Sequence, residues 1–301
     1  MKIFVAGATG VLGRRVVPLL VAQGHSVTAI GRTAEKRSVL DVCGACPVDM
    51  DVFDADAVRR ATTGNDVVMN LATCIPPVAK ALRKSAWAMN HRLRQEVARN
   101  LADATLANGA SRFVQESLGF AYADHGNDWI TETTALQTTP VNASILDAEA
   151  STARVAATGA VGVALRFANF YCADSEQTAV ALRLARRGIN TLPGDGYWPM
   201  VHADDAASAV VASLVAPSGN WRVVDDEQLT SSERAQALAD AVGRRRVHSI
   251  PSFLYRTAGA NGSMLLRSQR VSNAAFKAAT GWEPAHASFR TGIYAVARAR
   301  G

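Results

Sequence analysis

Three glycines spaced three apart, Gly7, Gly10 and Gly13, have the clearest chemistry in this chain. They follow the apolar run Lys2–Ala6 and precede apolar positions at Val11, Val17, Leu19, Leu20 and Val21, which recur at helical intervals. A glycine-rich turn between a strand and a helix binds phosphate. Gly7 permits the tight turn, Gly10 lets the backbone approach a pyrophosphate, and Gly13 lets the helix pack on the strand. The helix N-terminus then turns unpaired N–H groups toward the anion. Thr9, Val11 and Leu12 belong to the same cofactor-binding stretch. The next strand, Ser26–Ile30, ends at Gly31 and Arg32 and not at an acid. An acid there would hold the ribose 2′-hydroxyl of NAD, whereas a planar, always-charged guanidinium suits the 2′-phosphate of NADP. Arg32, with Lys36 or Arg37 helping, predicts NADP(H) in preference to NAD(H).

The elements that must position this turn repeat along the chain. Residues 47–52 read as a third strand leading into a helix that starts at the acidic Asp54. Residues 66–73 read as a buried fourth strand, 112–117 as a fifth, 162–167 as a sixth and 221–224 as a seventh, with a helix over 87–107. Strands alternating with helices predict an α/β fold: a Rossmann-type, doubly wound parallel sheet of about seven strands with a smaller C-terminal substrate lobe. Residues 1–170 and 201–225 would form the NADP-binding domain, and 171–200 with 226–301 the lobe. Residues 118–140 form a long loop of the kind that serves as a lid or binding loop.

Composition excludes several classes. With 301 residues, 49% of them hydrophobic, the chain is long enough to bury a large core. Its 32 Lys+Arg exceed its 26 Asp+Glu to give +6, yet the basic residues are scattered, so no nucleic-acid arm is expected. Arg244, Arg245 and Arg246 read as the solvated end of a helix. No basic and apolar leader precedes the first strand, and no apolar run approaches the roughly eighteen residues of a membrane span. A cytoplasmic protein without a membrane partner is expected. Four cysteines are too few for a disulfide framework, and the pair Cys43 and Cys46 lacks the second pair or histidines of a metal site.

In this order the motifs resemble the extended short-chain dehydrogenase/reductase family of the NAD(P)-dependent epimerase/dehydratase type, over essentially the whole chain. The glycine stretch Gly7–Gly13 carries the resemblance with Asp51 and Val52, Leu71, Ala72 and Thr73, and Asn90. It continues through residues 165–171, His202 with Asp204 and Asp205, and Gly281, Trp282 and Pro284. The resemblance implies that Asp51 and Val52 contact adenine, that Leu71, Ala72 and Thr73 lie beside the nicotinamide ribose, and that Asn90 belongs to the cofactor site. It places Asn169 and Tyr171 on the substrate side, gives His202 a packing role, and implies a homodimer paired through the helices of the fourth and fifth crossovers.

The family's catalytic tyrosine, followed by lysine one helical turn later, is missing. Counting back from Glu149 puts Val141 and Ile145 at those positions, and none of Tyr122, Tyr171, Tyr197, Tyr255 or Tyr294 has lysine four residues on. Leu118 stands where the family has a serine or threonine. A positioned acid or base is worth roughly a hundred- to ten-thousand-fold in rate, so ordinary ketone reduction should be slow unless another group substitutes. Tyr122, at the expected pocket mouth, and Glu116 and Ser117 at the end of the fifth strand are the candidates. Asp147 and Glu149 are two residues apart on a helix and do not form a carboxylate pair. Before His202 the sugar-nucleotide members carry an arginine that grips a diphosphate; here residues 196–200 include Trp198, which suits a partly apolar substrate and not a sugar nucleotide. Two other functions fit the same residues: a non-catalytic NADP(H)-sensing regulator, and a non-redox enzyme performing dehydration, cyclisation or retro-aldol cleavage.

Overall fold

The computed structural model describes residues 1–300 apart from Leu82, Gly194 and Ala258, and excludes the side chains of Val78, Ala260 and Asn261. Seven strands form one sheet: β1 (Lys2–Ala6), β2 (Ser26–Ile30), β3 (Cys46–Val48), β4 (Val67–Asn70), β5 (Arg112–Leu118), β6 (Val161–Phe167) and β7 (Gly219–Val223). Their order is β7-β6-β5-β4-β1-β2-β3, and every pairing is parallel. The order reverses between β1 and β4, so the crevice for a ligand opens at the C-terminal ends of those two strands.

Alternation along β1 shows why the sheet is covered on both faces. Ile3 and Val5 join one core cluster with Val16, Leu20 and Val114, while Phe4 and Ala6 join another with Val68, Leu101 and Phe113. The covering helices include α1 (Gly13–Ala22), α2 (Ala34–Val42), α3 (Ala55–Thr62), α4 (Ala98–Ala107), α5 (Ile145–Ala156) and α7 (Ala203–Ala212), with α6 (Glu176–Arg186), α8 (Ser231–Ala241) and α9 (Phe289–Arg298) in the lobe. Side chains set several starts: Thr33 caps α2, Asp54 caps α3, and Thr230 with Glu233 makes a capping box on α8. Tyr171, Leu182, Trp198, Leu229, Leu238 and Phe289 form the lobe's own core, whereas Val271, Phe276 and Trp282 join the main one.

Several sequence-based boundaries shift. The third strand stops at Val48, because Asp51 turns the chain by accepting the Phe53 amide at 2.9 Å. The fourth stops at Asn70, leaving Leu71, Ala72 and Thr73 as a loop. The seventh is Gly219–Val223. The helix over 87–107 is three pieces: Ala88–Arg92, a π-helical turn Leu93–Val97 and α4. Such a turn shifts the helical register, and both Asn90 and Arg94 end up buried.

The long segment after β5 is docked, not loose. Trp129–Ile130 pairs in parallel with Arg270–Val271, the Tyr122 amide donates to Gln269 Oε1, and Arg267 donates to the carbonyls of Tyr122 and Gln137. It is a packed strap across the edge of the sheet. No helix among the described residues is long and apolar enough to cross a membrane.

Candidate cofactor and substrate site

The glycine turn has the geometry its spacing predicts. Gly7 has φ +80°, and a Cβ there would meet the Ala72 nitrogen and Leu71 carbonyl carbon at 2.5 Å, so no larger residue fits against the end of β4. A Cβ on Gly13 would lie 2.2 Å from the Gly7 carbonyl oxygen. Gly10 differs: its added Cβ would meet only that oxygen, at 3.4 Å, and the residue is exposed. The backbone is therefore open at Gly10, and no side chain caps the start of α1. An uncapped helix N-terminus beside an open glycine fits a pyrophosphate.

The other cofactor candidates surround the same strand ends. Arg32 is exposed at the end of β2. Lys36 and Thr9 line a pocket of about 330 Å³ between α1 and α2, beside the turn. Arg37, half-buried, uses Nη1 to bond the Gly31 carbonyl at 3.0 Å and Asp49 at 2.6 Å. Asp51 is exposed and Val52 half-buried in the turn after β3. Leu71 is buried, Ala72 half-buried and Thr73 exposed beyond β4. Asn90 is fully buried, and its Oδ1 accepts the Cys74 amide at 2.9 Å.

Asn90 Nδ2, Arg94 Nε and Nη1, and Glu116 Oε2 are buried without a hydrogen-bond partner. These unmet donors and acceptor come from the helix after β4, which borders the crevice, and from β5, the strand beside β4. With the cradle at Gly7 and Gly13, they make residues that fit a dinucleotide.

The proton-bearing candidates are all interior. Glu116 accepts from Arg94 Nη2 at 2.8 Å. Ser117 donates to Glu149 Oε1 at 2.7 Å, and Glu149 is also gripped by Arg166 through Nε and Nη2 at 2.7 and 2.6 Å. Tyr122 is fully buried and not at a pocket mouth; its hydroxyl accepts from Arg166 at 3.1 Å, and the Arg222 guanidinium lies 5.4 Å from its ring centre. Arg94 was not singled out in the sequence, and neither the Arg94–Glu116 nor the Arg166–Glu149 pairing was expected, because pairing between distant segments leaves no local pattern. Asp147 faces outward to Gln95, which separates it from Glu149.

The substrate-side candidates divide in the same way. Asn169 is half-buried and donates to the Pro199 carbonyl at 3.2 Å. Tyr171 is buried in the lobe core, its hydroxyl donating to Asp225 at 3.0 Å; burial and that carboxylate push the phenol far above its ordinary value. Trp198 is also core, packed on Phe120 with ring centres 5.4 Å apart. The structure thus gives Tyr171 and Trp198 packing roles that their side of the chain did not reveal. His202 caps α7 by accepting the Asp204 amide and stacks on His286 at 3.8 Å, as a packing residue does. Val141 and Ile145, at the start of α5, are buried and apolar.

The parallel sheet order, the open glycine turn and the uncapped helix define a dinucleotide-binding Rossmann protein. A family model described as NAD(P)H-binding matches residues 7–217. A 3-diazoavenalumate denitrifying reductase from a Streptomyces species is 32% identical across 97% of this chain and 99% of that protein. The chain belongs to the NAD(P)H-binding family. A 2-alkyl-3-oxoalkanoate reductase of Stenotrophomonas maltophilia is 27% identical over 84% of the chain and 79% of that protein. Among solved structures, the human epimerase family protein SDR39U1 with NADPH superposes with a TM-score of 0.82 at 21% identity, covering 99% of both chains. A Thermus thermophilus UDP-glucose 4-epimerase in complex with NAD gives 0.79 at 23% identity, covering 99% of this chain and 98% of that one. The fold is that of the epimerase/dehydratase-type short-chain dehydrogenase/reductases, and the relatives include reductases.

Proposed function

We propose that this protein is an NADP(H)-dependent reductase that delivers hydride to an already electron-deficient atom of a small, partly apolar metabolite, without a tyrosine–lysine pair. The observation that carries this reading is the pairing of an open glycine cradle with buried, apolar Val141, in the turn before α5, and Ile145, its first residue. Bound NADPH would supply the hydride. Gly7 to Gly13 would hold its pyrophosphate, Arg32 and Lys36 its 2′-phosphate, and Asn90 and residues 71–73 its nicotinamide end. Residues 171–200 and 226–301 would supply the substrate side, with Asn169 at its edge.

Neither Val141 nor Ile145 can move a proton, so a substrate whose reduction needs proton transfer in the same step gains little here. An iminium, a conjugated alkene or a diazonium is already activated. The Streptomyces relative, named for the denitrifying reduction of a diazo compound, supports the last class. In that chemistry hydride adds to the carbon bearing nitrogen, the C–N bond breaks, and N2 leaves with the bonding pair; no proton donor is required. Glu116 and Ser117, held by Arg94 and Glu149, remain the groups nearest the strand end for a substrate that does need a proton.

Purified protein should oxidise NADPH with a diazonium, imine or enone from a small panel and be slow with simple ketones. Tight NADPH binding with oxidation by no member of the panel would overturn the reductase reading in favour of a cofactor-sensing protein.

A further inference from the structure

The lobe carries a second concentration of positive charge that hydride transfer does not use. Arg183, Arg186 and Arg187 are exposed at the end of α6, and Arg244, Arg245 and Arg246 are exposed after α8. The two groups adjoin: Arg244 Nε donates to the Arg186 carbonyl at 2.6 Å, and the His248 amide donates to the Gly188 carbonyl at 2.8 Å. None of the six arginines makes an ion pair among the described residues, whereas Arg14, Arg15, Arg37, Arg92, Arg94 and Arg166 all do. Reading Arg244 to Arg246 as a solvated helix end accounts for three of these charges but not for their placement against the other three.

Beside this patch, between α8 and residues 246–252, lies a pocket of about 460 Å³. Asp195, Ser232, Gln236, Arg246, His248, Ser249 and Ser252 are among its lining, and Asp195 accepts the Ser232 hydroxyl at 2.8 Å. Behind the wall, Ser249 Oγ accepts from Asn190 Nδ2 at 3.0 Å, and Asn190 Oδ1 accepts from Arg234 Nη2 at 2.7 Å. Arg234 is only 4% exposed, its Nε has no acceptor, and no carboxylate pairs with it among the described residues. Burial brings its guanidinium down to about 10 against a raising influence from Tyr255, and the Phe289 ring lies 5.7 Å away.

A buried cation without a counter-charge is costly, and Asn190 links this one by hydrogen bonds to Ser249 in the pocket lining. An anion in the pocket would compensate it. With the Ser232 hydroxyl taken by Asp195, the hydroxyls of Ser249 and Ser252, the Arg246 fork and the His248 imidazole still offer several donors, which suits a multivalent anion. The volume is within the roughly 300–1,000 Å³ of small-ligand sites. We propose that this pocket is a second ligand site, taking a phosphate-bearing small molecule, and that it shares no lining residue with the glycine-turn cleft.

The test is calorimetric titration of inorganic pyrophosphate into NADPH-saturated protein, so that the glycine turn is already filled. Saturable binding is expected, weakened about tenfold by Arg246→Ala or His248→Ala with NADPH affinity unchanged. Arg234→Met, checked for folding by its melting temperature, should also weaken pyrophosphate but not NADPH. The absence of saturable binding, or binding indifferent to both Arg246→Ala and His248→Ala, would overturn the proposal and leave a solvated basic surface. Since no turnover is measured, this outcome is independent of whether the protein is a reductase.

Discussion

At the residue scale, the proposed choice of NADP(H) would rest on one exposed guanidinium. Arg32 stands at the end of β2, where an acid would favour NAD, while Arg37 Nη1 is engaged by Gly31 and Asp49. Arg32→Ala should weaken NADPH binding by about tenfold while NADH binding changes little, the loss of one charge-assisted contact to phosphate. Equal weakening of both cofactors in a fluorescence titration would show that Arg32 does not read the 2′-phosphate. The position of Arg32 after β2 was legible in the sequence because a strand and its following residue are local. Tyr122, Tyr171 and Trp198 were not legible in the same way. Their types suggest chemistry, but Arg166 and Arg222 enclose the first, and Asp225, Phe289 and Phe120 enclose the others, all from distant segments.

At the element scale, the strand–turn–helix unit separates fold from binding. A methyl on Gly13 would collide with the Gly7 carbonyl, so Gly13→Ala should lower stability by about 1–3 kcal/mol as well as cofactor affinity. A methyl on Gly10 meets nothing closer than 3.4 Å, so Gly10→Ala should leave the melting temperature of the cofactor-free protein nearly unchanged while weakening NADPH. Equal loss of stability in both variants would contradict a turn in which Gly13 serves packing and Gly10 serves the ligand. The seven-strand order followed from β–α alternation, which periodicity encodes. The end of β3 and the docked strap did not, because an Asx turn at Asp51 and contacts from residues 267–271 decide them; the end of β4 and the π-helical turn have no signal in periodicity either.

At the scale of the whole molecule, acid stability follows from histidines held neutral. Burial first, and then His286, lower His202 below its ordinary 6.5. As pH falls below 6.5, the unfolded chain takes up a proton that folded His202 does not, so stability falls until the folded imidazole also titrates. Above that value the term vanishes. Melting temperature should therefore decline below about pH 6.5, and His202→Asn, which keeps a capping side chain, should flatten that decline. An unchanged acid limb in the variant would place the proton uptake elsewhere, at His25 or His91, which are lowered too.

The central claim is hydride transfer without a tyrosine–lysine pair, and isotope transfer tests it most directly. Protein given NADPH deuterated at the transferred position and an aryl diazonium acceptor should yield arene carrying deuterium at the carbon that lost N2, with a rate nearly flat across neutral pH. Product without deuterium, or a rate governed by one ionising group together with ready reduction of simple ketones, would contradict it.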